Sequence, residues 1–346
     1  MRRFDYSFLK DPLPADLLGI TNIIYDLRAR TELRQAASPA LFSAIREQAI
    51  VDSVKSSNAI EGIVTSKARL SGLLDGSLAP KTRDEHEILG YRAALALIYS
   101  DPSALPLSER TIRELHRLML EGVSSEAGRY KSEDNLILER DASGKRRIRF
   151  TPVTAAETPA AMEDLLLAWR EAAQDASVNP LLLSFCFIVD FLAIHPFSDG
   201  NGRVSRLLTN LFLLRNSFDI GRYISLEGII DEYRRAYYEA LERSSADWHE
   251  GKNSYLPFLT FMLQILYQCY KQLDLRFQEK SVSARPKHEQ IRSLLENTYV
   301  PLSKDDICTR LPEISVTTVE RVLGQLVRDG KVQKIGQGRG TRYRCI

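Results

Sequence analysis

Cysteine, methionine and tryptophan are scarce in this chain, with four, four and two among 346 residues. The cysteines, Cys186, Cys269, Cys308 and Cys345, lie far apart without CxxC or metal-ligand spacing, which excludes a zinc ribbon or a dithiol redox centre. Such usage suits a reducing compartment, where thiols serve as small core residues. An excess of one charge is also missing, because 47 basic side chains face 45 acidic ones. No global field therefore recruits nucleic acid or an acidic membrane. Long apolar runs are absent as well: "LLLSFCFIVDFLAIHPF" and "YLPFLTFMLQILYQCY" fall short of a clean membrane span, and the first carries Asp190. The opening "MRRFDYSFLKDPLPADLL" has two arginines but no apolar core, so no signal peptide is expected. A cytoplasmic protein without a membrane partner is the expectation. No GxxxxGK[ST] occurs, and "GQGRG" at 336–340 lacks dinucleotide-binding spacing, so the common phosphate-loop and Rossmann classes drop out.

What is present is a soluble composition, 44% hydrophobic and 27% charged, long enough for two or three domains. Apolar residues at three-to-four spacing predict helices over 40–54, 85–99, 109–120, 158–172, 181–194, 204–214, 231–243 and 255–277. Ser108 is a good N-cap for 109–120, and Gly122 closes that helix. One strand pair stands out: "NLILE" and "RIRF" flank the turn "DASGK" within 135–150. A lone hairpin is marginal by itself, so it is expected to lie over something. Composition turns polar at 278–286, which reads as a linker containing Pro286. Beyond it, helices over 287–296, 304–311 and 316–329 and a Gly-rich turn between two short strands resemble a winged helix-turn-helix. That segment holds 11 basic and 7 acidic residues, net +4, so positive charge gathers where a DNA contact would need it. Docking onto protein is the other use of such a module.

The stretch "HPFSDGNGRVSR", from His195 to Arg206, concentrates chemistry. Gly200 and Gly202 bracket Asn201 ahead of a helix, and a Gly-rich turn entering a helix N-terminus gathers backbone N–H groups into an anion cradle. Arg203 and Arg206, at i and i+3, project to one side and suit the oxygens of a polyphosphate. Asp199 supplies a hard oxygen that suits Mg²⁺ bridging phosphates. His195 is the one group there able to act as a base near neutral pH.

Together these residues resemble the signature of the Fic family, HPFx(D/E)GNGRxxR, at every fixed position. The resemblance implies an all-α Fic-type helical core with a β-hairpin flap, and transfer of AMP from ATP to a Ser, Thr or Tyr hydroxyl of a protein target. On that basis His195 deprotonates the hydroxyl and Asp199 holds Mg²⁺. Gly200, Asn201 and Gly202 form the anion hole, Arg203 contacts the phosphates, and Arg206 grips the γ-phosphate. Gly202 keeps the AMP-transferring pattern, since members that transfer phosphate carry lysine there. The hairpin resembles the flap that pairs with the target as an added strand. "GRYK" at 128–131 departs from the family's G-x-Y-R entry to that flap.

Upstream, "SSNAIEGI" contains Ser57, Glu61 and Gly62 in the pattern of the family's inhibitory motif (S/T)xxxE(G/N). Of five Glu-Gly or Glu-Asn pairs, only Glu61-Gly62 has Ser or Thr four residues before the glutamate. A capping-box variant starting a helix at Asn58 is the competing explanation. The expected organisation is an N-terminal helical region with the inhibitory helix (1–104), a Fic catalytic core (105–277), a linker (278–286) and a winged helix (287–346). The expected function is protein adenylylation restrained by Glu61. The alternatives are a nucleotide-sensing, DNA-binding regulator and a de-adenylylase using the same site. A homodimer is left open.

Overall fold

The computed structural model describes residues 3–140, 146–284, 286–296, 298 and 300–345. Two units emerge, Met1–Leu273 and Asp274–Ile346. The first contains α1 (Ala15–Ala37), α2 (Pro39–Ile60), α3 (Lys67–Leu74), α4 (Arg83–Ser100), α5 (Glu109–Leu120), β1 (Ile137–Arg140), β2 (Arg146–Phe150), α6 (Thr158–Ala173), α7 (Pro180–Ile194), α8 (Asn201–Arg215), α9 (Leu226–Glu232) and α10 (Arg234–Ser245). A long helix, α11 (Leu256–Ala284), follows.

Several starts are dictated locally. Ser108 Oγ accepts from the Thr111 amide at 3.2 Å and Thr82 Oγ1 from Glu85 at 3.2 Å, while Asn179 accepts from Leu181 and Leu182 ahead of Pro180. Each cap satisfies first-turn donors that the helix cannot pair by itself. Helix α5 has the bounds that the apolar spacing gives. The run 231–243 divides, because Tyr233 leaves helical geometry and separates α9 from α10. Helix α2 runs six residues past 54, which carries Ser57 onto the helix and puts Glu61 at its C-cap.

Helices α7 and α8 are buried on nearly every side. An all-round apolar helix belongs in the centre of a core. The exception in α7, Asp190, is fully buried and accepts hydrogen bonds from Tyr6 Oη at 2.8 Å, Trp248 Nε1 at 2.7 Å and Tyr255 Oη at 2.9 Å. This carboxylate ties the N-terminal segment to the region around α10 and α11. Asp190→Ala would strand those donors, so the variant should lose about 3 kcal/mol of stability in denaturant unfolding. An unchanged midpoint would show that water replaces the carboxylate.

The second unit orders its elements as α12 (Lys287–Glu296), β3 (Leu302–Ser303), α13 (Lys304–Arg310), α14 (Val316–Arg328), β4 (Val332–Ile335) and β5 (Arg342–Cys345). Its antiparallel sheet has the order β3-β5-β4, and Ile291, Leu295, Ile307, Val319, Leu323 and Leu326 form its core. A capping box between Ser303 and Asp306 starts α13. The polar stretch 278–286 is helical up to Ala284 in α11, since nothing in its composition forbids helix before Pro286. The turn of the hairpin, 141–145, lies outside the described residues.

Candidate active site

Helix α7 ends abruptly because residue 196 is proline. His195 takes a left-handed conformation, φ 54° and ψ 59°. That is a strained choice for a residue that is not glycine and precedes proline, costing about 1–2 kcal/mol. The loop then reaches Gly200 at φ 82°, a conformation that favours glycine, and a Cβ there would also displace the Met119 methyl 2.5 Å away. Asn201 holds the loop from inside: its Oδ1 accepts from the Phe197 amide at 2.9 Å, and its Nδ2 donates to the Phe197 carbonyl at 2.7 Å. The expectation placed Asn201 in the anion hole. Its side chain is engaged by the Phe197 backbone, and its own N–H lies in the first turn of α8 at the cleft.

A buried histidine that sequence reasoning missed braces the same loop. His116 of α5 stacks on Phe197 with ring centroids 3.8 Å apart. Its Nδ1 accepts from the Gly128 amide at 2.9 Å, which leaves the proton on Nε2 to donate to the Asp199 carbonyl at 3.1 Å. Burial pushes this imidazole down to about 4, so it stays neutral.

The two arginines of the motif diverge. Helix α8 packs between neighbours, so adjacent positions on its surface face different helices. Arg203, 1% exposed, donates to Glu87 of α4 at 2.6 Å, lies 3.8 Å from Asp199, and does not line the cleft. Arg206, 2% exposed, turns to α2: its Nε donates to Ser57 Oγ and its Nη2 to the Ser57 carbonyl, both at 2.9 Å, and Nη2 also donates to Glu61 Oε1 at 2.8 Å. Burial opposes the Arg206 charge, and Glu61 together with Tyr237 and Tyr91 outweighs it, so the guanidinium is held charged. The capping-box explanation fails, because Glu61 ends its helix and Gly62, at φ 81°, completes the C-terminus. A Cβ on Gly202 would sit 2.3 Å from Glu61 Oε1, so the carboxylate rests directly over the cradle.

These groups share one cleft of about 1040 Å³. His195 lines it beside Asp199, Gly200, Gly202 and Arg206, and the hairpin covers it with Leu136, Leu138 and Phe150. The strands pair antiparallel with Leu138 opposite Ile148, and both side chains are exposed. Tyr237, Tyr238 and Arg234 of α10 supply the far wall, where Arg149 lies 5.2 Å over the Tyr238 ring. His195 Nδ1 lies 3.2 Å from the Leu192 carbonyl, which can only accept, so the proton sits on Nδ1 and Nε2 keeps a lone pair. Burial pushes this histidine down to about 4. The bond to Leu192 raises it, Lys131 and Arg149 lower it further, and Glu61 raises it.

Asp199 offers an exposed carboxylate at the cleft. Among the described residues no group of three His, Cys, Asp or Glu is placed to hold a metal. A lone carboxylate still fits Mg²⁺, which commonly rests on one or two carboxylates plus substrate phosphates and water. Also among those residues, no helix is long and apolar enough to cross a membrane.

A first-turn amide cradle, a neutral histidine and a buried arginine thus meet in one covered cleft. Residues 106–213 match the Fic/DOC family. That match spans α5, the hairpin and the whole loop from His195 to Arg206. Curated relatives include the protein adenylyltransferase fic-1 of Caenorhabditis elegans, 28% identical over 46% of this chain and 31% of that protein. The protein adenylyltransferase Fic of Drosophila willistoni is 32% identical over 55% of this chain and 35% of that protein. The chain thus covers about a third of the length of these relatives. Among solved structures, a Fic family protein from Desulfovibrio desulfuricans shares the fold over 97% of both chains, with a TM-score of 0.62 and 22% identity. Fic-1 from C. elegans superposes with a TM-score of 0.56 at 24% identity over 75% of this chain and 71% of that one. Ser57, Glu61, Glu87 and the α10 wall lie outside residues 106–213, and the fold brings them to that segment.

Proposed function

We propose that this chain transfers AMP from ATP to a hydroxyl side chain of a protein and that Glu61 restrains it. The observation that carries the reading is the meeting of the Glu61 carboxylate, Arg206 and Gly202 in the cleft that His195 lines. His195 Nε2 takes the proton of the incoming hydroxyl, whose oxygen attacks the α-phosphorus in line while pyrophosphate leaves. The first-turn amides of α8, at Asn201, Gly202 and Arg203, bind phosphate oxygens, with the helix dipole adding to them. Arg206, once free of Glu61, pairs with the γ-phosphate. Mg²⁺ held by Asp199 would supply charge neutralisation on the phosphates. Arg203 contributes from behind, since its guanidinium is held by Glu87 and lies beside Asp199. A target segment adds as a strand beside the hairpin, where Leu138 and Ile148 are exposed.

The direct test is incubation of the Glu61→Gly variant with Mg²⁺ and ATP labelled at the α-phosphate. Label in a protein band supports transfer. Label that stays in nucleotide while intact ATP is retained favours a sensor, and release of AMP from a modified protein favours the de-adenylylase.

A specific feature of the second unit favours a DNA contact as a separate activity. Its helices and its β3-β5-β4 sheet have the order of a winged helix, and Arg321, Gln325 and Arg328 on α14 and Lys334 on β4 are exposed. Arg342 is exposed too but lies 3.5 Å from Asp306, and the Arg339 side chain lies outside the described residues. If about four of these cations replace counterions on phosphates, duplex affinity should fall about 10²-fold between about 50 and about 200 mM salt. Failure to retain any duplex at low salt would leave protein docking as the use of this unit.

A further inference from the structure

The strained conformation of His195 needs something to hold it, and the loop's own contacts end at Phe197. Two residues between α5 and β1 reach the carbonyls on either side of the histidine. The Lys131 amide donates to the Pro196 carbonyl at 2.9 Å, and its ammonium donates to the Ile194 carbonyl at 3.2 Å. Asn135 Nδ2 donates to the Phe197 carbonyl at 3.1 Å, and its Oδ1 accepts from Lys131 Nζ at 2.8 Å. The carbonyls before and after His195 are thus gripped by one lysine, and the next by the asparagine bonded to it.

Building on the adenylyl-transfer reading, we infer that Lys131 and Asn135 are positioning residues for His195, a clamp that fixes its backbone and aims its imidazole at the cleft. Burying the Lys131 ammonium at 3% exposure against two neutral oxygens is costly. Burial pushes it down to about 8, partly countered by Asp134. A leucine or methionine would fill the same space more cheaply, yet neither could donate to Ile194. The positive charge has a second effect, because the charged groups facing His195 are Lys131, Arg149 and Glu61, and of these Glu61 favours the imidazolium, as does the Leu192 carbonyl bonded to the ring. Lys131 therefore helps to hold the base in its neutral, proton-accepting form.

The experiment uses the full chain in the Glu61→Gly background, with Lys131→Met, Lys131→Arg and Asn135→Ala. Two readouts are taken: titration of the His195 ring by proton–nitrogen correlation NMR, assigned with His195→Ala, and kcat with KM for ATP. Lys131→Met should raise the His195 pKa by about one unit. It should also lower kcat about tenfold and leave KM for ATP within about twofold, because the clamp acts on the base and not on nucleotide binding. Lys131→Arg keeps the charge and should keep the titration. Asn135→Ala keeps Lys131 and should lower kcat about fivefold with a shifted His195 resonance, which tests the clamp even if the methionine variant does not fold. A folded Lys131→Met protein with an unmoved His195 titration, or an Asn135→Ala protein with unchanged kcat and spectrum, would overturn the inference. The titration reads the clamp even in a protein that transfers no label, so failure of the transfer reading is seen separately.

Discussion

Glu61→Gly should raise transfer of labelled AMP about 5–150-fold, the range of a coupling of about 1–3 kcal/mol between two sites. The carboxylate sits 2.8 Å from Arg206 Nη2 and in van der Waals conflict with any side chain at Gly202, so it occupies the space and the partner that a γ-phosphate needs. On the proposed function, ATP that binds beside it leaves Arg206 unused and its γ-phosphate without that partner. Removing the carboxylate frees the guanidinium, although Ser57 keeps two bonds to it and holds it in place. The gain should therefore depend on Arg206, and Glu61→Gly with Arg206→Ala should lose most of it. Stability offers a second readout: the variant without nucleotide should melt lower than the parent, because a buried guanidinium has lost its carboxylate. ATP should raise its melting temperature more than the parent's, since the γ-phosphate restores the missing charge. An inactive Glu61→Gly protein with no added response to ATP would mean that the contact only anchors the end of α2.

The parts of this site that were legible in the sequence are those that share a short stretch of chain. His195, Asp199, Gly200 and Gly202 fall within eight residues, and turn chemistry plus a helix start is a local property. Ser57 and Glu61 were legible because their spacing matched a motif, yet the contact they make with Arg206 is not local. Helix α2 runs past the 54th residue, and its last turn meets α8 across some 145 residues of chain. What sequence missed follows the same division. His116 and Lys131 each resemble ordinary residues until the fold brings them to the Asp199 and Ile194 carbonyls. Arg203 shows the converse error. The i and i+3 spacing suggests that Arg203 and Arg206 project to one side of α8, but a helix buried on nearly every side offers each position a different neighbour, so one arginine met Glu87 and the other Glu61. The split at Tyr233 and the helix through 278–284 were hidden for another reason. Apolar periodicity continues across a one-residue kink, and a polar segment without proline or glycine is as compatible with helix as with coil.

His195→Ala, made in the Glu61→Gly background, should reduce transfer about 10²–10⁴-fold, the usual cost of removing a general base. Affinity for ATP should stay nearly unchanged, because the imidazole faces the hydroxyl while amides and Arg206 face the phosphates. The left-handed backbone makes a second variant desirable. Asparagine tolerates φ near 54° better than alanine, so His195→Asn keeps the loop and removes only the base. Equal losses in both variants would locate the effect in the imidazole, and a loss confined to alanine would locate it in the loop. The pH profile adds an independent check. With the His195 pKa pushed down to about 4 by burial, the imidazole is neutral throughout the physiological range, and removing Glu61 takes away a charged neighbour that favours protonation, leaving the Leu192 carbonyl to do so. Activity of Glu61→Gly should therefore be flat from about pH 6 to about pH 8, with its acid limb displaced below the ordinary histidine range of about 6.5. Full transfer by both His195 variants would remove the histidine from the chemistry and leave the cleft as a nucleotide-binding site with another base or none.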